Sequence, residues 1–401
     1  MAKIYAMVRI KPLPLNIKNN VINLNMTRDE LIFNEKKIAY NLEKICKQHI
    51  FNFDKIYNHK SKTDDIFNDI GIQIVDNFFK KINSTIFVFG QTGTGKTHTI
   101  MGNKEYVGFF NILLEYLTDM KQKVNITIIE IYNDTCYDIL NKNNIIYQRE
   151  DNYGDIQLNG VKQDIITNKS DISKIYNKIN RNRKVGISSQ NDRSSRSHLQ
   201  IKIMSDSGSF IKILDLAGSE RASQSNYMNK NIFRENAEIN KSLLTLKECI
   251  RSLKNKNSYI PIRASKLTKL LKDSFTGRCN TYILGTVSQE EKNKVDSIST
   301  LNYISDLKYI KKIDKVSLPK IGESKSTDSI LNRKPNKFLN YSPNYRYVVR
   351  NKYKLEEINT KRKFLVDKIQ KRKTTNKDKK EFLDLIDKDI AVLNSFKKNL
   401  L

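Results

Sequence analysis

Residues Gly90-Gln91-Thr92-Gly93-Thr94-Gly95-Lys96-Thr97 satisfy the pattern Gly-x4-Gly-Lys-Thr with no mismatch. Such a loop works only between a buried strand and a helix. The apolar run Thr85-Ile86-Phe87-Val88-Phe89 reads as that strand, and His98-Thr99-Ile100-Met101 can open the helix. The glycines let the backbone curl until its N–H groups face phosphate oxygens, and the helix N-terminus adds a favourable dipole. Lys96 can reach β- and γ-phosphates, and the Thr97 hydroxyl can ligate magnesium. The loop implies a nucleoside triphosphate. It leaves open which one, and what its energy does.

The chain has 401 residues, enough for one large domain or two ordinary ones, and a formal net charge of +29. A basic surface suits an anionic partner: nucleic acid, acidic lipid or an acidic protein filament. The same excess also follows from a composition crowded with Lys, Asn and Ile. Cys46, Cys136, Cys249 and Cys279 lie far apart in sequence, in no zinc-ligand or disulfide spacing, and read as reduced cytosolic thiols. The longest apolar runs fall short of the ~20 residues that span a bilayer, so no membrane span is expected. Lys3-Ile4-Tyr5-Ala6-Met7-Val8-Arg9 reads as a first core strand, not a signal peptide.

Across residues 1–312, short apolar strands alternate with amphipathic helices, which implies an α/β sheet with helices on both faces. Ile126–Tyr132 and Phe210–Asp215 are clear strands. Ile239, Leu243, Leu246, Ile250 and Leu253 mark one apolar helix face. Residues 313–345 are rich in Ser, Lys, Asn and Pro and read as a flexible linker. Residues 346–401 form a basic, helical tail with the spacing of a short coiled coil, a candidate for homodimerisation.

Two further segments complete a nucleotide site. Asp215-Leu216-Ala217-Gly218 has the Asp-x-x-Gly form, in which an Asp holds the magnesium shell and a Gly amide senses the γ-phosphate. Asn191-Asp192-Arg193-Ser194-Ser195-Arg196-Ser197-His198 is a hydroxyl-rich loop suited to a second magnesium contact. Asn168-Lys169-Ser170-Asp171 matches a guanine-reading motif, but it precedes Asp215, whereas in GTPases it follows Asp-x-x-Gly.

In order along the chain, Arg9-Ile10-Lys11-Pro12, the phosphate loop, Glu130-Ile131-Tyr132-Asn133, the Ser-Ser-Arg-Ser-His segment, Asp215-Leu216-Ala217-Gly218-Ser219-Glu220, Glu238-Ile239-Asn240-Lys241-Ser242-Leu243 and Ser265-Lys266-Leu267-Thr268 resemble the kinesin motor domain. The resemblance covers about three quarters of the chain. It implies an α/β, P-loop NTPase kinesin motor fold: a central, mostly parallel twisted sheet with helices on both faces, plus the C-terminal helical tail. It further implies a microtubule-stimulated ATPase that uses ATP and Mg2+, binds tubulin but not nucleic acid, and works on cytoplasmic microtubules, the spindle included.

Carried over position by position, the resemblance assigns roles. Gln91, Thr92, Gly93, Thr94, Gly95 and Lys96 hold phosphates. Thr97 and Ser195 ligate magnesium, with Asp215 behind them. Gly218 reports the γ-phosphate. Arg196 and Glu220 form a salt bridge that closes the site, and Ser194 relays the proton of the attacking water. Arg9, Pro12 and His98 flank the adenine. The family has Arg where Lys11 stands, which keeps the charge and weakens planar stacking. Microtubules would meet residues 221–273, through Lys241, Lys247, Arg251, Lys254, Lys256, Arg263, Lys266 and Lys269.

Residues 237–251, with Lys247-Glu248-Cys249, are most similar to kinesin class thirteen, internal motors that depolymerise microtubules instead of walking. Residues 31–54 align with that class without a gap. Ala39-Tyr40-Asn41 replaces its Lys-Val-Asp loop tip, Ser219 stands where it has Asn, and the segment after Gly102 is short. The class has a basic neck ahead of the motor; here the first strand begins at Lys3, and the basic tail is the candidate substitute. The resemblance supports a depolymerase first and a translocating motor or a microtubule tether second.

Overall fold

The computed structural model describes residues 2–13, 22–25, 30–38, 44–103, 105–151, 155–184, 195–220, 230–255, 259–308 and 310. The expected linker at 313–345 and tail at 346–401 lie outside the described residues, as do the loop tip at 39–41 and Ser194.

Strand β1 (Ile4–Ile10) is followed by β2 (Ile22–Asn25), β3 (Glu30–Ile38) and β4 (Lys44–Asn52), which form their own antiparallel sheet. β5 (Lys55–Tyr57) returns to β1. A helical stretch then runs through α1 (Thr63–Ile66), a π-helical turn (Phe67–Gly71) and α2 (Ile72–Phe79). β6 (Asn83–Gly90) feeds the phosphate loop and α3 (Lys96–Met101), then α4 (Phe109–Asp119). β7 (Val124–Tyr132), β8 (Thr135–Asp138), β9 (Asn144–Glu150), β10 (Ile156–Asn159) and β11 (Asp164–Ile166) lead to α5 (Lys169–Lys184). β12 (His198–Met204) and β13 (Phe210–Asp215) precede α6 (Lys230–Lys254), α7 (Lys266–Leu270), α8 (Lys272–Phe275), β14 (Cys279–Val287) and α9 (Lys294–Lys308).

The main sheet runs β10-β9-β8-β7-β12-β13-β6-β14-β1-β5, with β11 also on β7. Its block β13-β6-β14-β1-β5 is parallel, and from β12 outward to β10 the pairing is antiparallel. The parallel block decides where chemistry can occur, because all five strands end at the same edge. In register, Arg9 lies beside Thr286 and Thr286 beside Gly90, while Asp215 lies beside Val88.

Strands in that block are apolar on both faces, as a covered parallel sheet requires. Along β6, Phe87 and Phe89 join a core with Leu243, Leu246 and Ile250 of α6 and Leu301 and Ile304 of α9. Ile86 and Val88 point the other way and are equally buried. α9 lies so close to β14 that a Cβ on Gly285 would stand 2.8 Å from Ile304. All four cysteines are free thiols. Among the described residues no helix is long and apolar enough to cross a membrane.

Leu246 is fully buried between α6 and the sheet. Leu246→Ala is expected to lower stability by about 2–5 kcal/mol, read by urea unfolding.

Candidate nucleotide site and filament-binding face

The phosphate loop leaves β6 at Gly90 and enters α3 at Lys96. Gly93 and Gly95 take φ of 78° and 102°, a region that glycine enters freely. Space beside both α-carbons is open, so the cradle is free for oxygen atoms. Lys96 is buried, and its ammonium donates to the carbonyls of Gly90 (2.9 Å) and Gln91 (3.0 Å). Burial pulls its pKa below the usual lysine value, against the opposing pull of Asp215 and Glu220. Thr94 Oγ donates to the Gln91 carbonyl at 2.7 Å, and Gln91 Nε2 donates to Asn293 at 3.3 Å, which fixes the loop's near wall.

The Thr97 hydroxyl donates to Asp215 Oδ2 at 2.7 Å. Asp215 is 1% exposed, yet its Oδ1 has no hydrogen-bond partner among the described residues. A buried carboxylate on which one oxygen accepts from Thr97 and the other is unpaired, with the Thr97 and Ser195 hydroxyls lining one cleft, is a hard oxygen set that fits magnesium. Thr97 and Ser195 would hold the ion, with Asp215 behind them. When bound, magnesium neutralises charge on phosphate oxygens.

A cleft of about 770 Å³ opens over this loop, lined by Arg9, Pro12, Thr92 to His98 and Ser195 as expected from sequence. Arg9 donates to Thr99 Oγ1 at 2.8 Å and to the Ser61 carbonyl at 3.3 Å, so its guanidinium is braced along the cleft wall. Burial and the nearby Arg9 lower the His98 pKa, leaving the ring neutral near pH 7. Sequence reasoning missed the facing wall, residues 59–64, and the rim formed by Tyr106 and Val107. Asn58 shapes the former, accepting from the Lys60 amide at 2.8 Å. The Asn-His-Lys-Ser run signals a turn, but nothing in it says which cleft the turn faces.

Around the Asp-x-x-Gly loop, three successive amides are anchored. Ala217 donates to His198 Nδ1 (3.0 Å), Gly218 to the Ser195 carbonyl (2.9 Å) and Ser219 to the Gly90 carbonyl (3.1 Å). A Cβ on Gly218 would stand 2.2 Å from Thr92 Oγ1 and 2.4 Å from a Glu220 carboxylate oxygen, so a side chain here would displace the Thr92–Glu220 contact. In this structure Glu220 accepts from the Thr92 amide (2.8 Å) and the Thr92 hydroxyl (2.5 Å). The close approach of Gly218 to Thr92 brings the carboxylate within reach of those two donors. Ser195 and Arg196 follow directly at the entry to β12, and the Ser194 role lies outside the described residues.

The sequence reading also missed Arg183, which looks like part of a solvated Lys/Arg run at the end of α5. It is buried, with Nη1 3.5 Å from Asp215, Nη2 donating to Ser197 at 3.3 Å and Nε 3.6 Å from Glu130. Ser197 in turn donates to Glu130 at 2.7 Å. This ion network is buried and paired, as buried charges must be. Through Arg183 it reaches the same Asp215 oxygen, Oδ2, that accepts from Thr97. The guanine-reading look-alike is a helix cap instead: Asn168 Oδ1 accepts from the Ser170 (2.9 Å) and Asp171 (3.2 Å) amides at the start of α5.

On the expected filament face, Lys241, Arg251 and Lys254 are exposed, and Lys266 and Lys269 are half-buried. Lys254 pairs with Asp306 at 2.5 Å, and Lys241 lies 3.5 Å from Glu238. Arg263 is clamped by Glu150 through two 2.8 Å hydrogen bonds. Lys256 lies outside the described residues. Lys247 is half-buried at the margin of the core, its ammonium over the Phe89 and Tyr303 rings, 5.5 and 5.7 Å from their centroids. The signal was present: Lys247 lies four residues after Leu243 and three before Ile250, inside the apolar stripe.

The buried His198 has its pKa pushed down to about 3 by burial, with Lys96 and Arg183 adding to the shift. The unfolded ring binds a proton near its ordinary 6.5 and the folded ring does not, so stability falls as pH drops below 6.5. From pH 7 to 5 this single group should cost about 2 kcal/mol, and a His198→Gln variant should show a flatter pH dependence in urea titrations.

Residues 9–310 match the Kinesin motor domain family. Human Kinesin-like protein KIF24 is 34% identical over 328 residues, covering 78% of this chain and 24% of that protein. Kinesin-like protein KIN-13B of Arabidopsis thaliana is 31% identical, covering 78% of this chain and 48% of that protein. The chain thus spans between about a quarter and a half of the length of these relatives. Among solved structures, a KIF14 chain described as a dimer in a two-heads-bound state, with AMP-PNP and in complex with a microtubule, superposes with a TM-score of 0.66. It is 25% identical, covering 79% of this chain and 96% of that one. Matched over residues 9–310, about three quarters of its length, this chain belongs to the kinesin motor domain family.

Proposed function

We propose that this chain is an ATP-dependent microtubule motor: it binds microtubules and hydrolyses ATP to ADP and phosphate, with turnover coupled to microtubule depolymerisation. The observation that carries the reading is the convergence of Lys96, Thr97, Ser195, Asp215, Gly218 and Glu220 on one strand-end crevice. Lys96 and the amides of residues 92–97 would position the β- and γ-phosphates. Arg9, Pro12 and His98 would flank the base. Water oxygen attacks the γ-phosphorus as the bond to the β–γ bridging oxygen breaks, so positioning and charge stabilisation are what the protein contributes. Glu220 and Arg196 would close the site behind that water, and Ser194 would relay its proton. For this closure the Glu220 carboxylate must exchange Thr92 for Arg196.

The exposed Lys241, Arg251 and Lys254 on α6 support binding to an acidic filament surface. Likeness to KIN-13B and the class-thirteen pattern of α6 support depolymerisation. That activity requires tighter binding to curved than to straight tubulin, since equal affinity would shift nothing. Ser219, the choice of kinesins in general, favours translocation as the second reading. The tail would tether or dimerise the chain, and its place of work would be cytoplasmic microtubules, the spindle included.

Fluorescence microscopy of single stabilised microtubules with the purified protein and ATP tests the coupling. Shortening from both ends is the expected result. Constant length with gliding would overturn depolymerisation and favour translocation. Glu220→Ala should abolish turnover while cosedimentation with microtubules persists; normal turnover would refute the role given to Glu220. Arg251→Ala should weaken microtubule binding and flatten its salt dependence. Lys247→Ala should instead lower stability by about 0.5–2 kcal/mol in urea unfolding.

A further inference from the structure

His198 touches three segments that carry different tasks. Its backbone opens β12, directly after the Ser195-Arg196-Ser197 segment. Its Nδ1 accepts the Ala217 amide at 3.0 Å, one residue before the Gly218 amide. That bond fixes the tautomer, so the ring hydrogen is on Nε2. Nε2 lies 2.9 Å from Ser242 Oγ on α6, and the Ser242 hydroxyl spends its own hydrogen on the Ile239 carbonyl at 2.8 Å. Each bond therefore has one direction: Ala217 amide to ring, ring to Ser242 hydroxyl, hydroxyl to helix backbone.

The His198 end of this path is buried and the Ser242 end half-buried: His198 is 3% exposed, and Ile239 and Leu243 near Ser242 are buried in the core. A shift of the Asp-x-x-Gly loop by more than a few tenths of an ångström must either carry α6 with it or break one of these hydrogen bonds, an unfavourable outcome. On the other side of Ser242, Lys241 is exposed on the same helix turn.

We propose that His198 is a positioning residue that couples the nucleotide loop to α6 through Ala217 and Ser242. The proposal rests on the motor reading above. The ring acts through its two neighbours and touches no phosphate. Its neutrality follows from burial beside Lys96 and Arg183, and a second proton on Nδ1 would confront the Ala217 amide.

Ser242→Ala in the full chain tests this. It removes only the link to α6, leaves His198 and the phosphate loop in place, and puts a better helix former on α6. Basal ATPase should stay near wild type. Stimulation by microtubules should fall about tenfold, and the ratio of microtubule affinities in AMP-PNP and in ADP should collapse towards one. Ser242→Thr, which restores a hydroxyl, should recover both. Wild-type stimulation and affinity ratio in Ser242→Ala would overturn the proposal, leaving His198 a buried, satisfied core residue. A wild-type chain that microtubules do not stimulate would instead overturn the motor reading, and the coupling with it.

Discussion

Asp215 is the buried charge around which the site is assembled. It ends β13 at the edge where the parallel strands stop, and a carboxylate removed from water must be matched by donors. Thr97 supplies one from α3 and Arg183 another from α5. Satisfying that one group therefore fixes the phosphate loop, the end of α5 and the Asp-x-x-Gly loop relative to each other. Arg183 in turn needs Glu130 on β7, so the constraint extends into the antiparallel half of the sheet. The open Oδ1 is what remains for the magnesium shell.

From that centre two routes lead outward. Gly218 sits so close to Thr92 that the Glu220 carboxylate closes onto the phosphate loop. His198 runs the other way, to Ser242 on α6. The helix that would meet a filament is thus bonded to the loop that would meet a phosphate. α6 itself is two-sided. Its apolar stripe belongs to the core, with Lys247 laid across Phe89 and Tyr303 at the margin, while Lys241 and Arg251 are exposed on its outer side. Glu150 fixes the exposed Arg263, because a bidentate pair holds the guanidinium in one place.

The phosphate loop, the strands at residues 85–89, 126–132 and 210–215, and the apolar face of α6 were all legible in the sequence. Each depends on chemistry local in the chain: glycine φ values, strand alternation or helical period. The facing wall of the cleft at 59–64 was not, since it reaches Arg9 and the loop only through the pairing of β5 with β1. Arg183 was hidden for the same reason, its partners being contributed by β7 and β13. Lys247 falls within the helical period of the apolar stripe, and its ammonium lies over Phe89 and Tyr303, a contact that its charge alone does not foretell.

The sequence by itself determined that this chain carries a phosphate-loop pattern on a strand–loop–helix unit and belongs with kinesin motor domains, because those features are written in contiguous residues whose backbone chemistry tolerates few substitutes. Only the tertiary structure decided which charges face solvent, which are spent on one another, and that Glu220 rests on Thr92. Those outcomes depend on distances between segments far apart in the chain, and burial alone sets whether a lysine or arginine is free to meet a partner.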